Sequence, residues 1–355
     1  MINVNWEPTP QEIAVLREHN NMAAAKLLGR SKQTIRHARE RLGIDNPALA
    51  TVEERDTELA KTVGVSRIWP IPEEPPVGFT DDLWATLESL QQQMQELDTE
   101  QTEVAVTIED EQPIMVVFFS DLHVGHTECN MSLLRCDLEL IKNTPGVYVI
   151  LGGDLADNVV TSVANRGMHH EQLAPVRIQQ VLIDRMSEYI KEKTLAMLLG
   201  NHEAWSISSA DYDPIAYIAQ KVACPYLGAH GFVNVNLGGA EYRLLAAHQF
   251  RMRSGFNLTH QAKRLEDFMG EADATFTGHT HEGSGENTKR KKVKKFYGQA
   301  GTYLQGSRYG RSLGFAGATA EMPGVILWPG QRKFLGFNDA FDDGITHLNA
   351  LRRAS

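Results

Sequence analysis

Five short apolar runs punctuate the chain: Ile114 to Phe119, Val147 to Leu151, Leu195 to Leu199, Leu244 to Ala247 and Ala272 to Phe276. Unbroken apolarity over so few residues, ended by polar or glycine positions, predicts buried strands. The loops that follow them carry Asp121-Leu122-His123, Gly153-Asp154, Gly200-Asn201-His202-Glu203, His248 and Gly278-His279-Thr280-His281. Strands of one sheet would deliver all five loops to a single edge, which is where open α/β sheets collect their sites. One chemical centre is therefore expected.

Upstream, the periodicity is helical. Pro10 to His19 carries Ile13, Val15 and Leu16, Met22 to Leu28 is alanine-rich, and Gly29 breaks the pattern before Ser31, a residue suited to cap a third helix running to Leu42. In that third helix Ile35, Ala38 and Leu42 share a face, while Gln33, Thr34, Arg36, His37 and Arg41 point elsewhere. Two short helices, a glycine turn and a basic helix resemble a small helix-turn-helix module over residues 1–45, with the segment from Ser31 as the recognition helix. Lys32, Gln33, Arg36 and His37 would then face DNA. A three-helix bundle docking on protein is the alternative.

Composition shifts over residues 46–112. Pro70, Pro72, Pro75 and Pro76 form a stiff, extended passage that cannot continue a helix, so the stretch reads as a linker. Leu83, Leu87, Leu90, Met94 and Leu97 then follow a heptad-like spacing, which predicts a short coiled coil over 80–98. Self-association through 83–97 and a helix lying on the catalytic domain are both open. Val104 to Ile108 can form a further strand. The remaining domain spans 113–355.

Charge follows the same division. The chain is −10 overall, yet Asp45 to Glu111 holds seventeen acidic residues against Arg55, Lys61 and Arg67, which leaves +4 for the rest. Basic character at both ends is what a polyanion such as DNA would sense. No run of apolar residues is long enough to span a bilayer, and the segment after Met1 lacks the pattern of a secretory signal, so a cytoplasmic protein without a membrane partner is expected. Cys129, Cys136 and Cys224 are too few and too irregularly spaced for a disulfide framework or a thiolate zinc site. They are expected to be buried, reduced thiols.

The five loops offer two aspartates, an amide and four histidines: Asp121, His123, Asp154, Asn201, His248, His279 and His281. This mixed oxygen and nitrogen set suits manganese, iron or zinc better than calcium. Asp154 has two oxygens, enough to bridge two ions, and a pair of bridged divalent ions is a device for in-line displacement at phosphorus.

Asp121-x-His123, Gly153-Asp154-x-x-Asp157, Gly200-Asn201-His202-Glu203, the lone His248 and Gly278-His279-x-His281 resemble, in order, the signature blocks of the calcineurin-like metallophosphoesterase superfamily. The likeness covers residues 114 to about 281 and extends to phage and bacterial members similar to DNA repair nucleases. It implies an α/β fold, a four-layer α/β/β/α sandwich, here preceded by the small all-α helix-turn-helix domain and the helical linker. It also implies two divalent ions, with manganese favoured over iron, zinc or magnesium. By position, Asp121, His123, Asp154 and His281 would hold one ion, and Asp154, Asn201, His248 and His279 the other. His202 would not ligate. It would protonate the leaving oxygen, its imidazole oriented by Asp157.

Around this set, His126 and Glu203 are candidates for hydrogen-bond partners that aim the ligands. His169-His170 could touch phosphate, although a surface turn is the plainer reading. Of the seven residues from Lys289 to Lys295 six are basic, and Lys291 and Lys292 could clamp a polyanionic backbone. Gly298 to Gly317, with Arg308-Tyr309-Gly310-Arg311, resembles the closing strands and loop of phage-type members. The combined reading is a metal-dependent DNA phosphodiesterase, a nuclease recruited by its N-terminal module. A phosphatase or cyclic-nucleotide phosphodiesterase with a small substrate is the alternative enzyme, and a DNA-binding regulator with a retained scaffold is the alternative of another class.

Overall fold

The computed structural model describes residues 6–19, 21–44, 84–89, 91–92, 101–160, 166–252, 254–306 and 319–354. The chain divides into two units, Met1–Gln91 and Gln92–Ser355.

In the first unit, helices α1 (Pro10–Glu18), α2 (Asn21–Leu27) and α3 (Lys32–Leu42) enclose a small apolar cluster of Trp6, Leu16, Ala24, Ile35 and Ala38. Local chemistry sets their ends. Thr9 and Glu12 close a capping box on α1, Ser31 Oγ accepts the Thr34 amide at 3.1 Å, and Gly43 ends α3 in the left-handed region at φ 59°. Leu42, expected on the buried face of α3, is instead exposed, because its position at the last turn lies beyond the reach of the cluster. Lys32, Gln33 and Arg36 are exposed and His37 is half-buried, with Arg36 and His37 both within reach of Glu40 at 3.4 and 3.5 Å. Residues 84–89 and 91–92 are helical, and Leu87 is exposed. The rest of the heptad seam, the proline passage and Arg308 to Arg311 lie outside the described residues. No helix among the described residues is long and apolar enough to cross a membrane.

Among the described residues the second unit has eleven strands: β1 (Glu103–Ile108), β2 (Ile114–Phe119), β3 (Val147–Leu151), β4 (Thr194–Met197), β5 (His230–Leu237), β6 (Ala240–Ala247), β7 (Ala274–Thr277), β8 (Ser284–Arg290), β9 (Val293–Gln299), β10 (Gly324–Leu327) and β11 (Phe334–Phe337). They form two sheets, in the orders β1-β5-β6-β7-β9-β8 and β11-β10-β2-β3-β4. The expectation of a single sheet is corrected here. β2, β3 and β4 pair in parallel in the five-stranded sheet, whereas β6 and β7 pair in parallel in the six-stranded one. The antiparallel strand β10 occupies the free edge of β2, so β6 and β7 cannot join that sheet and meet it face to face instead.

Side-chain alternation shows how the layers stack. Phe118 faces the six-stranded sheet, its ring stacked on Phe276 at 5.7 Å, and Phe119 points the other way, toward Leu138, Ile183 and Met186 of helices Met131–Asn143 and Val176–Ile190. On the outer face of the six-stranded sheet, Phe232, Leu245 and Ala247 pack against Leu265 of helix His260–Met269. The order is thus helix, sheet, sheet, helix. β1 falls inside the stretch assigned to the linker and extends the six-stranded sheet by pairing with β5 from Glu103 opposite Phe232 to Ile108 opposite Leu237.

The basic run departs from expectation more sharply. Lys291 and Lys292, both at positive φ, form the two-residue turn of the β8–β9 hairpin. β9 runs parallel to β7, with Gln299 opposite Thr277 at the end where the Gly278 loop begins and Phe296 opposite Ala274. The turn therefore stands at the far end of the sheet, about 20 Å from that loop at roughly 3.3 Å per strand residue. Closeness in sequence to His281 does not bring these lysines to the centre. Lys295 is moreover buried, 2.8 Å from Glu266, and Arg290 lies 2.5 Å from Asp267, so part of the run fastens the hairpin to helix His260–Met269.

Candidate metal centre

The five loops converge although their strands belong to two sheets. Asp121, His123, Asp154, His279 and His281 all have positive φ, between 48° and 71°. Left-handed backbone is uncommon for residues other than glycine, and its clustering at ligand candidates marks a place where loop geometry serves side-chain placement over local comfort. Glycines make the close approaches possible: a Cβ on Gly200 would lie 2.0 Å from the Asp154 amide nitrogen, and one on Gly278 2.4 Å from Asp121 Oδ2.

Three groups of donors result: Asp121 with His123 and His281; Asp154 with His248 and His279; and His123 with Asp157 and His202. His281 Nε2 lies 3.4 Å from Asp121 Oδ1 and 3.1 Å from His123 Nε2. His248 Nε2 lies 3.2 Å from Asp154 Oδ2 and 3.0 Å from Asn201 Oδ1. All seven proposed ligands are therefore drawn together. Asp154 Oδ2 stands between the groups, fully buried and without a well-aligned hydrogen bond, with His248 Nε2 at 3.2 Å and Nε2 of His123 and of His202 each 3.9 Å away. An orphaned buried carboxylate oxygen facing three imidazoles is costly unless a cation completes it. The donor set and this atom fit divalent cations, which Asp154 and the imidazoles around it would hold.

Hydrogen bonds behind the donors fix their tautomers. His248 Nδ1 donates to the Gly152 carbonyl at 2.9 Å, and His123 Nδ1 donates to Asp157 Oδ1 at 3.0 Å, so each presents a bare Nε2 to the centre. His202 Nδ1 donates to the Asp157 backbone carbonyl at 2.6 Å and stands 3.7 Å from that residue's carboxylate. This corrects the expected role of Asp157. Its side chain orients His123, and only its main chain orients His202, because the turn after Asp154 aims the carboxylate at the nearer imidazole. Gln172 donates to the second carboxylate oxygen of Asp157.

Glu203 is buried and accepts the amides of Asp154 at 2.9 Å and Ala156 at 3.0 Å, so it holds the Asp154 loop rather than a ligand side chain. The side chain of His126 is also placed differently from expectation. Its Nδ1 accepts the Glu128 amide at 3.0 Å and its Nε2 lies 3.7 Å from Glu171, a consequence of Gly125 turning the chain away from the centre at φ 104°. His170 is exposed on a short 3₁₀ turn, whereas His169 lines a cleft of about 330 Å³ with Val159, Gln172, Leu173, Ala174, Pro175 and Val176.

The protein's own charges divide the histidines. Burial holds His123 below the usual imidazole range despite Asp157, which suits a neutral ligand. Burial opposes charge on His202 as well, but Asp154 and Asp157 outweigh it and raise its pKa, which suits a proton donor. His248 is pushed up to about 9 against its burial, chiefly by Asp154, so proton and divalent cation compete for the same Nε2. Burial, reinforced by Asp154, pushes Glu203 up to about 7.

Several contributors lay beyond the sequence reading. Ser120 Oγ donates to Asp121 Oδ2 at 2.6 Å, and its place beside Asp121 was the one available signal. Asn158 Nδ2 donates to the His202 carbonyl at 2.7 Å, and the Trp205 ring lies against that of His202 with centroids 4.1 Å apart. Gln172 had no local signal, since its partner is fifteen residues away.

Residues 114–283 match the family model of calcineurin-like phosphoesterases. No curated protein matches the chain. Among solved structures, vacuolar protein sorting 29 from Cryptosporidium parvum is similar at 15% identity and a TM-score of 0.35, over 64% of this chain and 97% of that one. The calcineurin-like phosphoesterase YfkN from Bacillus subtilis is similar at 11% identity and a TM-score of 0.31, over 69% of this chain and 99% of that one. The family match spans the same loops that assemble the donor groups, from Asp121 to His281.

Proposed function

We propose that this protein is a dinuclear metal-dependent phosphodiesterase acting on DNA, a nuclease whose N-terminal helices act as a helix-turn-helix that recruits the substrate. The observation that carries the hydrolytic part is Asp154 Oδ2, orphaned at the junction of two donor groups. Asp121, His123, Asp154 and His281 would hold one ion and Asp154, Asn201, His248 and His279 the other, with manganese favoured. Bound there, divalent ions supply Lewis acidity toward the phosphoryl oxygens and ease deprotonation of water. The chain's residues do the rest. Asp157 keeps the His123 tautomer, Glu203 keeps the Asp154 loop, and His202, anchored through Nδ1, turns Nε2 toward the centre. As the water oxygen bonds to phosphorus, giving up one proton to solvent, and the ester P–O bond breaks, the His202 Nε2 proton passes to the leaving oxygen.

DNA as substrate is supported by the basic face of α3, with Lys32, Gln33 and Arg36 exposed and His37 half-buried, and by the positive balance outside the acidic segment. Lys291 and Lys292 would serve only as a contact remote from the centre. A second reading, hydrolysis of a nucleotide or another small phosphoester, is favoured by the cleft of about 330 Å³ that abuts Gln172, the partner of Asp157. The test is hydrolysis of labelled single- and double-stranded DNA, a small phosphodiester and a phosphomonoester, with manganese and with chelator. Chelator-sensitive DNA cleavage that disappears in Asp154→Ala is the expected result. Turnover confined to the small esters would overturn the DNA assignment, and a protein that binds no metal would leave only a DNA-binding scaffold.

A further inference from the structure

The segment leaving the centre beyond His248 differs in character from the rest of this acidic chain. Between Glu241 and Glu266 there is no acidic residue, but there are five cations, Arg243, Arg251, Arg253, Lys263 and Arg264, in a protein of net charge −10. Aromatic and apolar side chains alternate with them. Phe250 packs against Phe268 of helix His260–Met269, with ring centroids 5.5 Å apart. The Arg251 guanidinium lies over both rings, at 5.9 and 6.0 Å, and makes no ion pair among the described residues. Met252 and Phe268 are exposed, and Phe256 is fully so. Met252 has φ 71°, in the left-handed region.

A soluble protein gains nothing in folding from a bare phenylalanine on an exposed loop, so such a cluster marks a surface that another molecule covers. Three features select the occupant. The apolar residues are interleaved with arginine, the Arg251 charge meets no ion-pair partner among the described residues whereas Arg243, Lys263 and Arg264 are paired with Glu103, Glu286 and Asp267, and Phe250 stands two residues past His248, a candidate ligand of a phosphoester centre. Planar rings beside guanidinium groups suit nucleobases on a phosphate backbone: each base offers a face to stack on and each phosphate a charge to pair. In a duplex those faces are already stacked inside the helix, so exposed rings favour unpaired bases.

We propose that Phe250, Arg251, Met252, Phe256 and Phe268 form a stacking platform for unpaired bases of a polynucleotide strand whose phosphodiester enters the metal centre. The inference rests on the phosphodiesterase reading and narrows it to a single-stranded region of the substrate. A second protein copy and a peptide are the competing occupants.

The test uses the full chain and a fluorescent oligothymidylate of about 15 nucleotides, within the length such platforms cover. In chelator, to block turnover, the double variant Arg251→Ala with Phe256→Ala should bind this strand roughly ten-fold or more weakly, in line with the loss of a base-stacking contact. Phe256→Trp should retain the affinity, and blunt duplex should be affected less than single strand. Small-diester hydrolysis, which involves no bases, reports the metal centre separately. Unchanged single-strand affinity in the double variant, or an equal loss for duplex, would overturn the platform. Wild-type protein that cleaves DNA while the double variant binds as before would sink the platform alone. Wild-type protein that hydrolyses the small diester yet neither binds nor cuts DNA would sink both the platform and the DNA reading.

Discussion

Asp157 serves two histidines with different parts of itself: its carboxylate stands 3.0 Å from His123 Nδ1, and its backbone carbonyl takes His202 Nδ1 at 2.6 Å. The first bond sets up a candidate ligand and the second a candidate acid. Asp157→Asn should therefore lower metal affinity about 10- to 100-fold, as loss of such a buttress commonly does, while His202 keeps its anchor. Titrating metal-free protein with manganese checks this. Undiminished affinity combined with lost turnover would return Asp157 to a role on His202.

His202→Ala should bind metal as the unaltered protein does and lose roughly 10²- to 10⁴-fold in turnover, the usual worth of a positioned proton donor. Metal content and single-turnover rates on the same preparation separate the two effects. Depleted metal would make His202 a ligand.

Gly200→Ala tests how tightly the Asn201 and Asp154 loops are pressed together. The new Cβ would meet the Asp154 amide nitrogen at 2.0 Å and Oδ1 at 2.2 Å, in a place where the His202 amide already holds that oxygen at 2.9 Å. Overpacking of this kind costs about 1–3 kcal/mol, so the denaturant midpoint should fall together with metal affinity. A midpoint equal to that of the parent would show that the loops can part freely.

The three thiols should not react alike. Partial burial pushes Cys129 and Cys224 up to about 12, whereas Cys136 is exposed, so the expectation of three buried thiols is corrected to two half-buried and one exposed. Cys136 projects outward because helix Met131–Asn143 buries Leu134, Asp137 and Ile141 instead. Timed alkylation of native protein should label Cys136 first and the other two only on unfolding. Three equal rates would contradict this placement.

Asp137 supplies a pH signature away from the metal centre. Burial pushes its carboxyl up to about 6, against the hydrogen bond donated by Tyr303 at 2.5 Å. A carboxyl raised in the folded state contributes stability that is complete below its unfolded pKa near 3.8 and is lost as pH rises through about 6. The stability difference between Asp137→Asn and the parent should therefore shift in favour of the variant across that window. Thermal melts of both proteins at a series of pH values measure it, and a difference independent of pH would mean that Asp137 titrates as an ordinary carboxyl.

The sequence by itself determined the types of donor side chain, the order of the five loops and the strands that precede them. An apolar run ending in Asp-x-His or Gly-His-x-His states both its burial and its chemistry locally, and Ile114–Phe119 and Val147–Leu151 form strands with the expected bounds. Two N-terminal helix starts were equally legible, at Pro10 and after Ser31, since these residues act on their own neighbours.

Tertiary structure decided whatever depends on which distant segments meet. It split the five strands between two sheets, gave the Asp157 carboxylate to His123, and drew Gln172 and Trp205 into the centre. It also carried Lys291 and Lys292 to the far end of the β8–β9 hairpin, although they follow His281 closely in sequence. A strand converts a few residues of separation into tens of ångströms, and a pair of packed sheets brings residues 121 and 281 into contact, so proximity along the chain and proximity in space are independent quantities here.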